Sequence, residues 1–276
     1  MFRLSAVWLL IALMSVCSET NVYADQDGID SSSQDVSLNS QYFKGYITDT
    51  KDILTSPLRW DRNDWLKASL VVGATLGLYA FDEDINEWIQ DNRHDDVSEF
   101  SERFGDGKNV LPPLLIFYGI GHVSKNKKIQ RTALLTIENV VITGIFTQVM
   151  KYSFQRHRPN TGDPYDTWDG PGGSGDSLAF PSGHTSLAFS IATPIATEYN
   201  DNFIVPPLAY GLASLVGWSR MNDNKHWASD VFMGASLGYF TGKAICKLHE
   251  NEDSLRMTIK PVIGREYSGV MVSYGF

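Results

Sequence analysis

Six long apolar stretches, each of about 13 to 18 residues, determine what this chain can fold into. Each is long enough for a helix and too long for a typical strand, so the sequence predicts an all-α protein built as a bundle of six helices. The glycine-rich segment 160–177 lacks apolar periodicity and predicts a loop between the third and fourth helices. The apolar stretches are 65–81, 110–123, 133–150, 185–197, 203–218 and 228–245.

The beginning of the chain has the pattern of an export signal. Arg3 precedes an apolar run over 6–16, and a small-residue cleavage site ends at Ala24. We therefore predict a signal peptide over the first 24 residues; a lipoprotein signal at Cys17 and a retained anchor are the alternatives. Cleavage after Ala24 leaves Cys246 as the remaining cysteine of the sequence, so no intramolecular disulfide can form.

Composition divides the rest of the chain into three parts. Residues 25–41 are polar and rich in Ser, Asp and Gln, which predicts a disordered lead. Residues 42–250 hold the apolar stretches and form the predicted helical domain. Residues 251–276 contain two segments, 255–262 and 266–276, in which apolar and polar residues alternate, so this extension is predicted to be a β-hairpin.

The net charge of the chain restricts its partners. The sequence has 32 Asp and Glu against 23 Lys and Arg, a formal net charge of -9. Such a chain repels the phosphate backbone of nucleic acids, so we predict no nucleic-acid partner. A local cluster of cations is more informative against this acidic background.

The apolar stretches leave two environments open. They are shorter than the roughly 20 residues that cross a bilayer comfortably, and the third contains Glu138 and Asn139. A bundle of membrane helices and the core of a soluble bundle both fit this pattern. The link between the second and third stretches favours the membrane, because it is basic and resembles a cytoplasmic loop. Its cations are Lys125, Lys127, Lys128 and Arg131.

The two topology signals disagree with each other. The basic link directs the third helix outward, which places Lys151 outside. A cleaved signal peptide starts the mature chain outside, and three crossings then place Lys151 on the cytoplasmic side. Three explanations stay open: the first stretch does not cross, the signal is not a signal, or the protein is soluble.

A first polar motif ends the third apolar stretch. Lys151 and Arg158 are seven residues apart and share a helix face if the helix continues that far. A guanidinium binds phosphate oxygens in a bidentate manner, and lysine adds a point charge. The alternative is a solvated helix end. Arg156 is a further cation that could support a site. Because of its spacing from Lys151, we do not include it among the predicted site residues.

A second motif lies between the glycine-rich segment and the fourth helix. It reads Pro181-Ser182-Gly183-His184. Ser182 is placed to cap the helix, and the first amides of a helix form an anion site that a glycine lets a ligand approach closely. His184 in the first turn could donate a proton to a leaving oxygen. Taken alone, the motif is also that of an ordinary helix cap.

A third motif contains Ser219-Arg220, then His226 and Asp230. On one helix, the spacing of four residues lets Asp230 hold one imidazole nitrogen and leaves the other free to attack a substrate. A lone pair of this kind is more often structural. Together, however, the three motifs supply cations, backbone donors, an acid, a nucleophile and a group that orients it, which are the parts that phosphoryl transfer needs.

With these three motifs, the sequence closely resembles the type 2 phosphatidic acid phosphatase and vanadium haloperoxidase superfamily. The family's motifs are Lys, six residues, Arg-Pro; then Pro-Ser-Gly-His; then Ser-Arg, five residues, His, three residues, Asp. All three are present without gaps. The resemblance covers about 65–246, and it implies the helical bundle of that family.

The resemblance also implies which groups bind phosphate. By similarity, Lys151, Arg158 and Arg220 hold the phosphate oxygens, and Ser182 and the Gly183 amide assist them. Because these cations neutralise the charge that develops on phosphorus, the resemblance implies neither a metal ion nor another cofactor.

The catalytic groups follow by the same similarity. His226 attacks phosphorus and forms a phosphohistidine, Asp230 orients His226, and His184 protonates the leaving alcohol. Water then hydrolyses the phosphohistidine. The remaining histidines are His94, beside Asp95 and Asp96, and His122, His157 and His249. They have no spaced partner in the sequence and are interpreted as structural or exposed. No metal cluster is predicted.

These observations predict a phosphatase that hydrolyses phosphate monoesters, with lipid phosphates such as phosphatidate as the preferred substrates. We expect it in the inner membrane with its active site facing the periplasm. The alternatives are a soluble periplasmic acid phosphatase that takes small phosphomonoesters, a vanadium-dependent haloperoxidase, and a noncatalytic envelope protein.

Overall fold

The computed structural model describes residues 40–93, 107–173, 177–254, 258–263 and 268–273. The predicted signal peptide lies outside these residues, as does nearly all of the predicted disordered lead. The segment around His94 also lies outside them.

All six apolar stretches form helices, which confirms the all-α prediction, and two further helices, α1 and α3, join them. In the described residues the helices are α1 (Ser40–Thr55), α2 (Arg62–Tyr79), α3 (Asp82–Asp91), α4 (Gly107–Val123), α5 (Lys127–Phe154), α6 (Gly183–Glu198), α7 (Val205–Asn222) and α8 (Ala228–Ser254). Short 3-10 turns occupy Ser56–Arg59 and Pro159–Thr161. Helix α1 begins two residues before the predicted start of the helical domain.

The predicted C-terminal hairpin is present as two strands. Strand β1 (Thr258–Ile263) pairs antiparallel with β2 (Ser268–Ser273). Thr258 lies opposite Ser273, and Ile263 lies opposite Ser268. Both strands overlap the segments in which alternation predicted them.

Helix α8 packs directly against α6 along a row of glycines. A Cβ added at Gly234 would lie 2.6 Å from the Ser182 carbonyl oxygen, and one at Gly238 would lie 2.5 Å from the Ser186 carbonyl oxygen. Both positions therefore require glycine, because the backbones of the two helices are too close for a side chain. The sequence shows this row as glycines four residues apart, a spacing that our prediction did not use.

Substituting Gly238 tests this close approach. We expect Gly238→Ala to lower the free energy of unfolding by about 1–3 kcal/mol, because the new methyl group overlaps the α6 backbone. Gly211→Ala is the matched control: that glycine is also inside a helix, with no atom within 4 Å of the added Cβ. It should leave the protein equally stable or up to about 1 kcal/mol more stable. Thermal unfolding of both variants measures the difference, and equal effects contradict the packing argument.

Helix α5 places its polar side chains inside the bundle. Asn139 donates hydrogen bonds to the carbonyl oxygens of Ser190 (2.8 Å) and Gly238 (3.2 Å), which connects α5 to both α6 and α8. Among the described residues, α5 is the helix that is long and apolar enough to cross a bilayer, and half of its most apolar window is buried. Its buried polar residues are Gln130, Thr132, Thr136, Glu138, Asn139, Thr143, Thr147 and Lys151.

The outside of the bundle is apolar on four helices. Soluble proteins expose single large apolar residues, whereas continuous apolar surfaces indicate a contact with lipid or another protein. Together with the polar interior of α5, this surface favours a membrane environment. The exposed side chains are Trp65, Leu66, Leu70, Leu76, Leu115, Ile116, Ile120, Val141, Ile145, Val149, Leu208, Leu212 and Leu215.

Candidate active site

The three sequence motifs meet at one end of the bundle. They lie at the end of α5, at the start of α6 and in the loop between α7 and α8. The Ser182 amide donates to the Asp230 carbonyl oxygen at 2.9 Å, which joins the second motif to the third. A Cβ added at Gly183 would lie 3.5 Å from Cε of Lys151, so the first motif is also in contact with the second.

The first motif is divided by a turn, so the helix does not continue far enough for Lys151 and Arg158 to share one helix face. Helix α5 ends at Phe154, and Gln155 adopts a left-handed conformation with φ 45°. The Gln155 amide closes the helix by donating to the Lys151 carbonyl oxygen at 2.9 Å. Lys151 therefore reaches the site from the last helical turn, and Arg158 reaches it from the following loop.

The cations of the site lie close to one another. Arg158 interacts electrostatically with Asp230 and Arg220, and burial lowers the pKa of Arg158. Its Nε is buried and has no hydrogen-bond partner. Arg220 is almost fully buried and forms an ion pair with Asp223 at 2.5 Å. Lys151 is 8% exposed, and its ammonium donates to the Leu178 carbonyl oxygen. Clustered cations of this kind favour binding of an anion with several oxygens.

The start of α6 differs in one detail from the prediction. Ser182 occupies the N-cap position, but its side chain makes no capping hydrogen bond. Its hydroxyl instead accepts a hydrogen bond from the Thr185 hydroxyl at 2.9 Å. The prediction that Ser182 caps the helix through its side chain is therefore wrong. The first amides of α6 are left without that cap, and His184 is half-buried in the same turn.

The spacing of four residues suggested that His226 and Asp230 lie on one helix. His226 instead lies in the loop before α8. Helix α8 begins at Ala228. The loop is fixed to α7, because the His226 amide donates to the Arg220 carbonyl oxygen at 3.2 Å. His226 Nδ1 faces Asp230 Oδ2 at 3.6 Å, which is longer than a hydrogen bond. The other ring nitrogen, Nε2, is therefore the one directed away from the carboxylate.

The imidazole of His226 is neutral at neutral pH. Its side chain is 4% exposed, and burial lowers the pKa of His226 to about 4. The positive charges of Lys151 and Arg158 act in the same direction, whereas Asp230 opposes them. At neutral pH a nucleophilic nitrogen lone pair is therefore available without loss of a proton.

Arg156 is a component of the site, although it was not among the residues predicted from the sequence. It is fully buried, and its guanidinium bridges two carboxylates, with Nη1 2.8 Å from Asp230 Oδ1 and Nη2 2.8 Å from Asp82 Oδ2. It also donates to the Tyr165 carbonyl oxygen at 2.8 Å and to the Ser229 hydroxyl at 2.8 Å. Arg156 therefore fixes the carboxylate that faces His226.

Asp82 completes this network from α3 and has no motif of its own in the sequence. Its Oδ1 accepts the Ser229 amide at 2.9 Å, and its other oxygen accepts the Ser229 hydroxyl. Burial raises the pKa of Asp82 to about 6, against the opposing charge of Arg156. An acidic residue at the start of α3 thus anchors the first turn of α8.

An aromatic cage surrounds the Arg156 guanidinium. The rings of Tyr79, Trp168 and Trp227 have centroids 4.9, 5.0 and 5.3 Å from the guanidinium carbon. Trp168 belongs to the glycine-rich loop and donates from its indole to the Tyr79 hydroxyl at 3.2 Å. Cation–π contacts favour a desolvated guanidinium, so the cage holds Arg156 while excluding water.

His157 has partners that the sequence spacing did not indicate. Its Nδ1 lies 2.7 Å from Asp163, and its Nε2 lies 3.1 Å from Asp169. The hydrogen bond with Asp163, followed by that with Asp169, raises the pKa of His157. The imidazole therefore connects two points of the glycine-rich loop at the rim of the site.

A helical bundle that presents clustered cations, a helix N-terminus and a buried histidine–aspartate pair at one end defines a class of phosphate-processing protein. The model of the PAP2 superfamily matches residues 132–254, which include all three motifs. Over these residues the chain is similar to the PAP2 superfamily, and the resemblance predicted from the motifs is confirmed.

Two proteins from other organisms are similar in sequence. The lipid A 1-phosphatase of Porphyromonas gingivalis is 30% identical over 176 residues, 63% of this chain and 36% of that protein. The probable diacylglycerol pyrophosphate phosphatase 1 of Schizosaccharomyces pombe is 24% identical over 161 residues, 47% of this chain and 58% of that protein. The chain thus spans about a third of the length of the first and rather more than half of the second.

Two solved structures are also similar. LpxE of Aquifex aeolicus matches with a TM-score of 0.47 and 21% identity, over 60% of this chain and 95% of that one. A transmembrane PAP2 type phosphatidylglycerolphosphate phosphatase from Bacillus subtilis matches with a TM-score of 0.41 and 19% identity, over 78% of this chain and 98% of that one.

Proposed function

We propose that this protein is a phosphatase that hydrolyses lipid phosphate monoesters through a phosphohistidine formed on His226. The observation that carries the proposal is the neutral imidazole of His226 among the clustered cations, next to a buried carboxylate. This arrangement suits a nucleophile that attacks a phosphate already held by positive charge.

Substrate binding uses the cations and the helix start. Lys151, Arg158 and Arg220 hold the non-bridging oxygens of the phosphate, and the Nε of Arg158 supplies a donor that is otherwise unsatisfied. The Gly183 amide and the Ser182 hydroxyl assist from the start of α6. These groups stabilise the negative charge that develops in the transition state, so the proposed steps require no metal ion.

The first step transfers the phosphoryl group to the enzyme. His226 Nε2 forms a bond with phosphorus as the bond from phosphorus to the leaving oxygen breaks, and His184 donates a proton to that oxygen. Asp230 faces Nδ1 and stabilises the positive charge that the imidazole acquires. Arg156 holds Asp230 in place during this change.

The second step releases inorganic phosphate. A water molecule takes the place of the leaving alcohol and attacks phosphorus while His184 accepts one of its protons. The bond between Nε2 and phosphorus breaks, and His226 returns to its neutral form. The same two histidines thus act in both steps with exchanged roles.

An apolar cavity beside the site supports a lipid substrate. It has a volume of about 510 Å³ and lies between α4, α6 and α7. Ala188, one of its lining residues, is one helical turn from His184, and the cavity continues past Ile191 to Ile195. An alkyl chain in this cavity can extend from a phosphate held at the site. The names of both relatives above also describe phosphatases that act on lipids.

The location that we propose is the inner membrane, with the site facing the periplasm. Helix α5 is 28 residues long, about 42 Å at 1.5 Å per residue. Its first turn carries Lys127 and Lys128, and its last carries Lys151 at the site. The positive-inside rule assigns the basic end to the cytoplasm, which leaves the site on the opposite side.

A matched pair of substrates tests the proposal. We expect the purified full-length protein to hydrolyse dioctanoyl phosphatidate with a kcat/KM at least about 100-fold higher than for glycerol 3-phosphate, because the acyl chains add apolar burial to the same head group. Equal rates for the two substrates would favour the small-molecule acid phosphatase. Bromination that depends on vanadate, without any phosphate release, would favour a haloperoxidase. Recovery in the soluble periplasmic fraction after lysis would contradict the membrane location.

The pH dependence of turnover gives a further prediction. The pKa of His226 is lowered from its usual value of 6.5 to about 4, so the imidazole stays neutral at pH values where an exposed histidine is protonated. The acidic limb of kcat/KM should therefore lie near pH 4. Activity should persist through pH 6.5 and fall as the pH approaches 4, as measured on a soluble short-chain substrate. An acidic limb centred near 6.5 contradicts a buried, neutral nucleophile.

A further inference from the structure

A second cluster of ionisable groups lies inside the bundle, away from the phosphate site. It joins Asp49 of α1, Glu138 of α5 and His249 of α8. His249 Nε2 is 3.0 Å from Glu138 Oε2 and 3.5 Å from Asp49 Oδ2. Both carboxylates are buried, and the imidazole is largely buried as well.

Helix geometry separates this cluster from the active site. Glu138 and Lys151 are both on α5, about 20 Å apart along the helix axis. His249 and Asp230 are both on α8, about 28 Å apart along its axis. The two groups of residues are therefore separated by roughly 20 Å or more along the bundle.

The distances within the cluster suit a shared metal ion. Nitrogen and oxygen ligands bind Zn²⁺ at about 2.0–2.2 Å, and a tetrahedral arrangement separates the ligand atoms from one another by roughly 3.3 Å. The two distances from His249 Nε2 lie on either side of that value. The ligand atoms of all three residues lie within 4.8 Å of one another.

The charge of the cluster also points to a cation. Glu138 is fully buried, and its Oε1 has no hydrogen-bond partner. A buried carboxylate oxygen without a partner is costly. Two buried carboxyl groups lie together here, and a cation beside them favours their charged forms. A divalent ion also supplies a partner for the Glu138 oxygen.

We propose that Asp49, Glu138 and His249 bind one Zn²⁺ ion, with a water molecule in the remaining position. Imidazole and carboxylate ligands are both compatible with this ion. The site connects the N-terminal helix α1 to α5 and α8, so the ion stabilises the packing of these three helices away from the phosphate site. The proposal is independent of the proposed phosphatase function.

Zinc competes with protons for the three ligands. A metal binds the unprotonated imidazole and the ionised carboxylates, so binding releases any protons that these groups hold. The ion should therefore bind more weakly as the pH falls.

The experiment uses the full-length protein after removal of metals with a chelator. Titration with ZnCl₂ should show one equivalent of saturable binding, with protons released into a weakly buffered solution. With Zn²⁺ at about 100-fold above its Kd, the Tm should rise by at least about 5 °C. Cobalt(II) in the same site should give the visible absorption bands of a four-coordinate ion. No saturable binding, or binding without these bands and without proton release, overturns the proposal.

Three variants assign the binding to this cluster. Glu138→Gln and His249→Gln each keep the size of the side chain and should lose the stoichiometric binding. His157→Gln is the matched control, because that imidazole also lies between two carboxylates, and it should retain binding. Binding that persists in both cluster variants overturns the proposal. If a cluster variant does not fold, the cobalt spectrum and proton release of the unaltered protein still decide the outcome.

Discussion

Replacing His226 with alanine is expected to lower kcat by at least about 10⁴-fold, because the variant lacks the atom that forms the bond with phosphorus. Binding of the substrate should change less, since the cations that hold the phosphate are still present. The measurement is the steady-state rate of phosphate release from a short-chain phosphatidate. His122→Ala is the control, because His122 is exposed near the opposite end of the bundle, and its activity should be unchanged.

A trapping experiment separates the role of His226 from a purely structural one. Rapid quenching of the unaltered enzyme with a ³²P-labelled substrate should yield protein-bound label that is stable in alkali and lost in acid, as expected for a nitrogen–phosphorus bond. The His226→Ala variant should carry no such label while its circular dichroism spectrum is unchanged. Label that persists in this variant, or its absence from the unaltered enzyme under conditions of rapid turnover, contradicts the phosphohistidine mechanism.

Replacing Arg156 with methionine should have the largest effect on stability. The change leaves Asp82 and Asp230 buried without their shared cation, and breaking a buried pair in this way costs about 3–5 kcal/mol. Turnover should fall as well, because Asp230 loses the group that fixes it against His226. Chemical denaturation and phosphate release measure the two effects.

Further variants distinguish burial of charge from loss of packing. Arg131→Met removes a guanidinium that pairs with Glu198 at 3.2 Å and is partly exposed, so it should cost no more than about 1 kcal/mol. Adding Asp82→Asn to Arg156→Met removes one of the two stranded charges and should restore part of the stability. Equal destabilisation of Arg131→Met and Arg156→Met would show that the buried ion pairs do not stabilise the fold. The same conclusion follows if Asp82→Asn restores no stability to Arg156→Met.

The helices and motifs were predictable because their signals are local. Apolar stretches of helical length predicted six helices at nearly the correct positions, and alternation predicted the hairpin. Neither extra helix gives such a signal. Helix α3 is short and strongly acidic, and α1 lies next to a polar segment. Both nevertheless contribute a buried carboxylate to the interior, Asp82 from α3 and Asp49 from α1.

The errors near the site come from local geometry that spacing cannot express. Seven residues separate Lys151 from Arg158, but the left-handed turn at Gln155 ends the helix between them. Four residues separate His226 from Asp230, yet His226 lies before the helix starts. In both cases the side chains still converge, because the surrounding packing holds the loops in place.

The sequence by itself determined the helical class, the resemblance to a phosphatase family and the eight residues proposed to bind and transform phosphate, since those depend on the identity and order of residues along the chain. Only the tertiary structure decided that Arg156 bridges Asp230 to Asp82, and that His249 meets Asp49 and Glu138. The members of these groups come from helices far apart in the chain. Their contacts exist only once the bundle has packed. A charged group that is buried loses its contact with water and therefore needs a hydrogen-bonded or oppositely charged partner.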